Sequence, residues 1–166
     1  MKTPRAAEEA VLQLLKVLSE NKLTLSLAES CTGGLLSALI TENAGVSPNF
    51  LGSVVSYSNE AKENVLGVRR DSLHDEGAVS EAVARQMAQG VRLSFQSDWS
   101  ASITGVAGPS GGTPTKPVGT VWIAVAGPGF EESRKFFFEG DRKEIQAKSA
   151  ESAAGILCES IRQKKV

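Results

Sequence analysis

The chain is poor in the side chains that bind metals and cross-link small folds, since its 166 residues include one histidine and two cysteines. With His74 alone, a histidine-based metal site is not expected. Cys31 and Cys158 have no paired spacing, which argues against a disulfide framework and against a zinc cluster. Charge of either sign is scarce in excess: the formal net charge is −1, so no general attraction to nucleic acid or to an anionic membrane follows. Local Lys/Arg clusters could still bind a phosphate. No apolar run approaches the ~20 residues of a membrane span, and the start, Met1 to Glu9, has no apolar signal core. Internal repeats, low-complexity tracts and linkers are missing too. What remains is an ordinary globular composition, 41% apolar and 22% charged, on a length that suits one core. We therefore expect a soluble, cytoplasmic chain forming a single domain over residues 1–166.

Against this plain background one stretch stands out, Leu25 to Leu36, Leu-Ser-Leu-Ala-Glu-Ser-Cys-Thr-Gly-Gly-Leu-Leu. Its first half alternates apolar and small residues as a strand does, and its second half opens a helix. The junction holds two nucleophile candidates, Ser30 and Cys31, followed by Thr32, Gly33 and Gly34. Backbone N–H groups at such a helix start suit a phosphate, a carboxylate or a developing oxyanion. A simpler reading is that Ser30 or Thr32 caps the helix.

The remaining pattern alternates helices and strands. Val11, Leu14, Leu15 and Leu18 mark an amphipathic helix over about residues 5–21, and Leu23 to Ala28 form the first strand. The helix after Gly34 ends at Asn43-Ala44-Gly45, and Leu51 to Ser56 read as a second strand. Ser58 or Asn59 then caps a short helix ending near Gly67, with Lys62 in its first turn. His74 lies in a polar stretch and reads as solvated. Ser80 caps a helix to about Gln96 whose stripe, Val83, Met87 and Val91, is core; Trp99 to Ile103 are a third strand. Val118 to Ala126 and Ser133 to Glu139 make a late antiparallel hairpin about Gly127-Pro128-Gly129. Asp141 caps a last helix carrying Ile145, Ala153, Ile156, Leu157 and Ile161, with Cys158 beside that stripe as packing. This order predicts an α/β fold, an α/β/α sandwich on a mixed sheet.

Two further places invite chemistry. A lysine in a helix's first turn sits at the positive end of the helix, where its pKa is pushed down, as a general base requires; a solvated surface lysine is the plainer alternative. Tyr57, before that helix, reads as a half-buried strand-end aromatic whose hydroxyl finds water. The connection from Thr104 to Pro117 is rich in glycine and proline and long for a compact domain, which marks a loop wrapped around a ligand or a disordered one. It matches neither a Walker sequence nor the dinucleotide spacing.

Taken in order, Ala28-Glu29-Ser30-Cys31-Thr32-Gly33-Gly34, Ser56-Tyr57-Ser58-Asn59-Glu60-Ala61-Lys62 and Thr104-Gly105-Val106-Ala107-Gly108-Pro109-Ser110-Gly111-Gly112 resemble the motifs of the CinA C-terminal domain family. Gly77 to Glu81, Lys116 to Trp122 and Gly140-Asp141-Arg142 extend the resemblance over about residues 5–160. The resemblance implies a three-layer sandwich with a mixed, mostly parallel five-stranded sheet. It also implies metal-independent and cofactor-free hydrolysis of the carboxamide of nicotinamide mononucleotide, in pyridine nucleotide salvage. Ser30 would be the nucleophile, Lys62 the base and Tyr57 a helper. Substrate contacts would come from Thr32, Gly33, Gly34, Thr104, Gly105, Gly108, Gly111, Gly112 and Arg142. The partner implied is this small molecule, with no nucleic acid and no membrane; a homodimer rests on the resemblance alone. Relatives often carry a molybdopterin-binding-like domain ahead of this one, and activity residing there is not expected here. They also commonly have a second arginine four residues after Arg142, where this chain has Gln146, so phosphate binding should lean on Arg142 or on backbone donors. Which loop takes the phosphate stays open, as does a non-catalytic nucleotide-binding role. Cys31 competes with Ser30 as nucleophile, but a catalytic cysteine generally wants a nearby histidine.

Overall fold

The computed structural model describes residues 5–164. In chain order it contains α1 (Arg5–Asn21), β1 (Leu25–Glu29), α2 (Leu35–Thr41), β2 (Phe50–Val55), α3 (Asn59–Leu66), α4 (Arg70–Asp75), α5 (Glu81–Phe95), β3 (Trp99–Gly105), β4 (Thr120–Gly127), β5 (Phe130–Phe137) and α6 (Arg142–Lys164). The strands form one five-stranded sheet in the order β2-β1-β3-β4-β5. β1 pairs in parallel with both β2 and β3, while β4 runs antiparallel to β3 and β5 antiparallel to β4. Only β4 is therefore reversed, and the sheet is mixed but mostly parallel, as expected. Helices α1, α2 and α6 cover one face, and α3, α4 and α5 the other.

Strand alternation sorts large residues to one face and small ones to the other. Leu25 and Leu27 of β1, Trp99 and Ile103 of β3, and Val121, Ile123 and Val125 of β4 pack beneath α1 and α6. Each such fully buried aliphatic side chain contributes about 1.5–3 kcal/mol. The opposite face offers Ser26, Ser100, Ser102, Ala124 and Ala126, all buried. These small residues let α5 lie close, and their hydroxyls bond its backbone: Ser100 Oγ donates to the Ala88 carbonyl at 2.7 Å and Ser102 Oγ to the Ala84 carbonyl at 2.5 Å. α5 in turn meets the end of α3 so closely that a Cβ on Gly90 would stand 1.9 Å from the Leu66 carbonyl oxygen. The sheet thus sets α5, and α5 sets the helix that carries Lys62.

Two elements depart from expectation. β5 starts at Phe130, directly after the Pro128-Gly129 turn and three residues before Ser133, because Gly127 already pairs with Phe130. Its start was hidden by Glu131 and Glu132, charges that an edge strand carries at little cost. The stretch around His74 is helical over Arg70–Asp75, but only Leu73 of α4 is buried, so no apolar period announces it. Among the described residues, no helix is long and apolar enough to cross a membrane.

Candidate active site

β1, β2 and β3 run in the same direction and end together at Glu29, Val55 and Gly105. The chain leaves β1 for β2 on one side and returns to β3 on the other, a switch point that opens a crevice at the carboxyl ends of the strands. A cavity of about 320 Å³ occupies this place. Ser30 and Cys31 reach it from the end of β1, Tyr57 and Lys62 from beyond β2, Thr104 to Gly111 from the end of β3, and Arg142 from the start of α6. A hollow of about 430 Å³ beside the β4–β5 turn, at the other end of the sheet, offers no hydroxyl, thiol or amine in its lining.

Ser30 is seated by strand bonding, since its N–H donates to the Ile103 carbonyl at 2.9 Å. The chain then reverses through Gly33 and Gly34, whose φ angles of 61° and 97° a residue with a Cβ would adopt only under strain. Lys62 owes its place to a well-terminated helix. The Ser58 hydroxyl accepts the Ala61 N–H at 3.0 Å, and Gly67 closes the other end in the left-handed conformation.

The lysine is 1% exposed. Its Nζ donates to Ser30 Oγ at 2.9 Å, to the Ser56 carbonyl at 2.8 Å and, more weakly, to the Tyr57 carbonyl at 3.4 Å. Burial lowers its pKa from the ordinary 10.5, with the neighbouring Cys31 acting the other way. In the neutral amine, two N–H bonds can serve the two carbonyls, which only accept. The lone pair then faces the one partner able to donate, the Ser30 hydroxyl.

Cys31 also borders the cavity, at 5% exposure. Burial pushes its thiol up to about 12, its own backbone N–H pulls it down, Glu29 pushes it further up, and Lys62 and Arg142 oppose. It is a thiol at neutral pH, and a poor nucleophile in that form. His74 is exposed on α4, its Nδ1 2.9 Å from Asp75, away from the cavity.

Thr104, Gly105, Gly108 and Gly111 line the cavity with Ser30, Lys62, Tyr57 and Arg142, while Thr32, Gly33, Gly34 and Gly112 stand behind that lining. The Thr32 hydroxyl donates to Glu29 Oε2 at 2.7 Å. Gly33 and Gly34 shape the turn, the Gly33 N–H bonding the Ser30 carbonyl at 3.0 Å. Gly112 lies against Val118, whose backbone nitrogen would be 2.9 Å from an added Cβ. The Thr104 hydroxyl donates to the Ala78 carbonyl at 2.8 Å, tying the loop before α5 to the cavity wall. Tyr57 turns its hydroxyl to Arg142, whose Nη2 donates to it at 2.9 Å, and only its carbonyl faces Lys62. Arg142 Nη1 donates to the Gly108 carbonyl at 2.7 Å, so one guanidinium bridges the glycine-rich loop and Tyr57 across the cavity mouth. One turn further along α6, Gln146 Nε2 donates to the Cys31 carbonyl at 2.9 Å.

Sequence reasoning missed Glu29. It is fully buried, and its carboxylate accepts the Leu36 and Ser37 N–H groups at 3.1 and 2.8 Å. Glu29 therefore caps α2 from the end of β1, in place of Ser30 or Thr32. A glutamate at the end of an apolar strand, a few residues before a glycine-led helix, was the available signal. Ala78, Val79 and Ser110 also line the cavity, and nothing in their residue types marks them.

The sequence pattern of the CinA C-terminal domain matches residues 7–161. The chain is 46% identical over 160 residues to a CinA-like protein of Thermotoga neapolitana, an alignment that takes in 95% of this chain and 38% of that relative. It spans little more than a third of the length of the curated relatives it matches. Among solved structures, the competence/damage inducible protein CihA of Agrobacterium tumefaciens superposes with a TM-score of 0.93 at 33% identity, covering 98% of this chain and 99% of that one. A CinA superfamily protein of Klebsiella pneumoniae gives 0.91 at 35% identity, with 95% and 98% covered.

Proposed function

The chain belongs to the CinA C-terminal domain family, and we propose that it is an amidohydrolase that converts nicotinamide mononucleotide to nicotinic acid mononucleotide and ammonia. The observation that carries this reading is the buried Lys62 amine 2.9 Å from Ser30 Oγ. Serine is a weak nucleophile until a base takes its proton, and a lysine can do so only when neutral. Burial of Lys62 favours that form.

In the first step Ser30 Oγ attacks the carboxamide carbon while its proton passes to Lys62 Nζ. The resulting oxyanion needs N–H donors. In the turn after Ser30, the Gly33 and Leu35 N–H groups are bonded to the Ser30 and Thr32 carbonyls. The role falls to the turn's remaining N–H groups, that of Thr32 among them. Collapse of the intermediate breaks the C–N bond, and the Lys62 ammonium returns the proton to the departing nitrogen, which leaves as ammonia. Water then attacks the Ser30 ester, giving its proton to Lys62, and the acid and free serine are restored. Substrate phosphate is assigned to Arg142 and to backbone donors of the Gly105–Gly111 loop, because Glu29 occupies the first N–H groups of α2.

The test is ammonia release by the purified chain from nicotinamide mononucleotide, with Ser30→Ala as control. Turnover that disappears in the variant is the expected result. Binding of the nucleotide without ammonia release would overturn the proposal and leave a nucleotide-binding module.

A further inference from the structure

Glu29 does more than end a strand. Its Oε2 accepts the Thr32 hydroxyl at 2.7 Å and the Leu36 N–H at 3.1 Å, and its Oε1 accepts the Ser37 N–H at 2.8 Å and the Ser37 hydroxyl at 2.5 Å. Both carboxylate oxygens are thus fully engaged in a site with no exposure to water. Its main chain bonds in the other direction. The Glu29 carbonyl accepts the Ser56 N–H at 2.9 Å, and the Ser56 carbonyl in turn accepts from Lys62 Nζ at 2.8 Å. Ser30 is its covalent neighbour.

We propose that Glu29 is the positioning residue of the Ser30–Lys62 pair, its carboxylate clamping the turn that follows the serine while its carbonyl holds the segment that seats the lysine. The proposal rests on reading Ser30 as the nucleophile. The four donors demand four acceptor positions, two on each oxygen. A glutamine in the same place would set its own N–H groups against two of the donors, and an aspartate would fall one methylene short. In either case the turn must re-seat, and Ser30 Oγ leaves the line of the Lys62 lone pair. Displacements of about 1 Å at a reacting atom lower rates by about a hundredfold. Glu29 is not part of the cavity lining, and the Lys62 ionisation is set by burial and Cys31, so loss of the clamp reduces reactivity at Ser30 without moving that ionisation.

The experiment measures the rate at which phenylmethanesulfonyl fluoride labels Ser30 across pH. In this reaction Oγ forms the S–O bond, fluoride leaves, and Lys62 takes the proton. The comparison includes the unaltered chain, Ser30→Ala, Glu29→Gln, Glu29→Asp and Asn43→Ala. Asn43 Nδ2 donates to the Leu39 carbonyl at 2.9 Å, so its removal weakens α2 from the far end without touching the clamp. Glu29→Gln should label at least about tenfold more slowly than Asn43→Ala, with an unchanged pH midpoint and with Glu29→Asp between them. Equal rates in Glu29→Gln and Asn43→Ala would reduce Glu29 to a helix cap and overturn the proposal. Labelling of the unaltered chain no faster than Ser30→Ala overturns it together with the nucleophile, a pattern distinct from the first. Should Glu29→Gln not fold, Thr32→Val and Ser37→Ala remove single donors from the clamp. Each should slow labelling severalfold, and full-speed labelling in both would equally overturn the proposal.

Discussion

Lys62 Nζ lies 2.9 Å from Ser30 Oγ, although 32 positions separate the two residues in the chain. The contact is made by two parallel strands ending side by side, one carrying the serine at its tip and the other leading into the lysine's helix. If that contact is the reacting pair, Ser30→Ala abolishes ammonia release while the fold persists. Cys31→Ala keeps most of the activity, because a thiol raised to about 12 supplies almost no thiolate at neutral pH. Activity that survives in the serine variant and vanishes in the cysteine variant would reverse the assignment.

The second prediction separates a base from a mere charge. Arginine at position 62 keeps a cation but cannot accept a proton, as guanidinium stays protonated. Lys62→Arg and Lys62→Met should therefore be equally inactive. In the unaltered chain kcat/KM should rise with pH as Lys62 loses its proton, at a midpoint below the ordinary 10.5. Substantial turnover in Lys62→Arg would remove the lysine from the chemistry.

Much of this pair was legible in the sequence because its determinants are local. Ser58 before the helix and Gly67 after it delimit α3, and their spacing puts Lys62 in the first turn. Asp141 marks the start of α6 in the same way, and the structure adds Glu144, each side chain accepting the other's backbone N–H. What stayed hidden was long-range side-chain direction. Thr32 and Tyr57 were placed in the right neighbourhood, but their hydroxyls were claimed by Glu29 and Arg142. Periodicity reports which face a residue occupies, not which of several polar partners its terminal atom meets. Glu29 was passed over for the same reason: its partners at Leu36 and Ser37 become neighbours only once the turn has closed. The close seating of α3 on α5, where Gly90 meets the Leu66 carbonyl, is likewise a long-range contact that no local rule describes.

Tyr57 and Arg142 make graded predictions for KM, with kcat largely spared. The Tyr57 hydroxyl meets Arg142 and not the lysine, a placement suited to steadying the guanidinium. Tyr57→Phe should leave kcat nearly intact and raise KM severalfold, the loss of one hydrogen bond to a charged group being about 1.5–3 kcal/mol at most. Arg142→Ala removes the charge and the bond to the Gly108 carbonyl together, and should raise KM for the mononucleotide tenfold or more, at about 1.4 kcal/mol per decade. The dephosphorylated nucleoside, if accepted, should be affected much less. A fall in kcat for Tyr57→Phe as deep as that of Ser30→Ala would instead put the phenol in the proton path.

Burial that lowers the Lys62 pKa must destabilise the fold at neutral pH, and the sign of that effect is measurable. In the unfolded chain Lys62 ionises near 10.5, whereas in the folded protein burial lowers its pKa. Between the lowered value and 10.5 the unfolded state binds the extra proton, so stability rises with pH through that window. Below the window the folded state carries the full penalty of a buried charge, about 1.4 kcal/mol for each pKa unit of displacement. Lys62→Met removes the charge and keeps most of the volume. Urea unfolding of the variant should give a higher midpoint than the unaltered chain at neutral pH, and the difference should shrink as pH climbs toward 10.5. Ser30→Ala should leave this pH dependence in place, since Lys62 keeps its carbonyl partners at Ser56 and Tyr57. A Lys62→Met variant less stable than the parent at neutral pH, with the same pH dependence, would mean that the lysine is an ordinary charged group well compensated by its partners. It would then have no lone pair to offer Ser30.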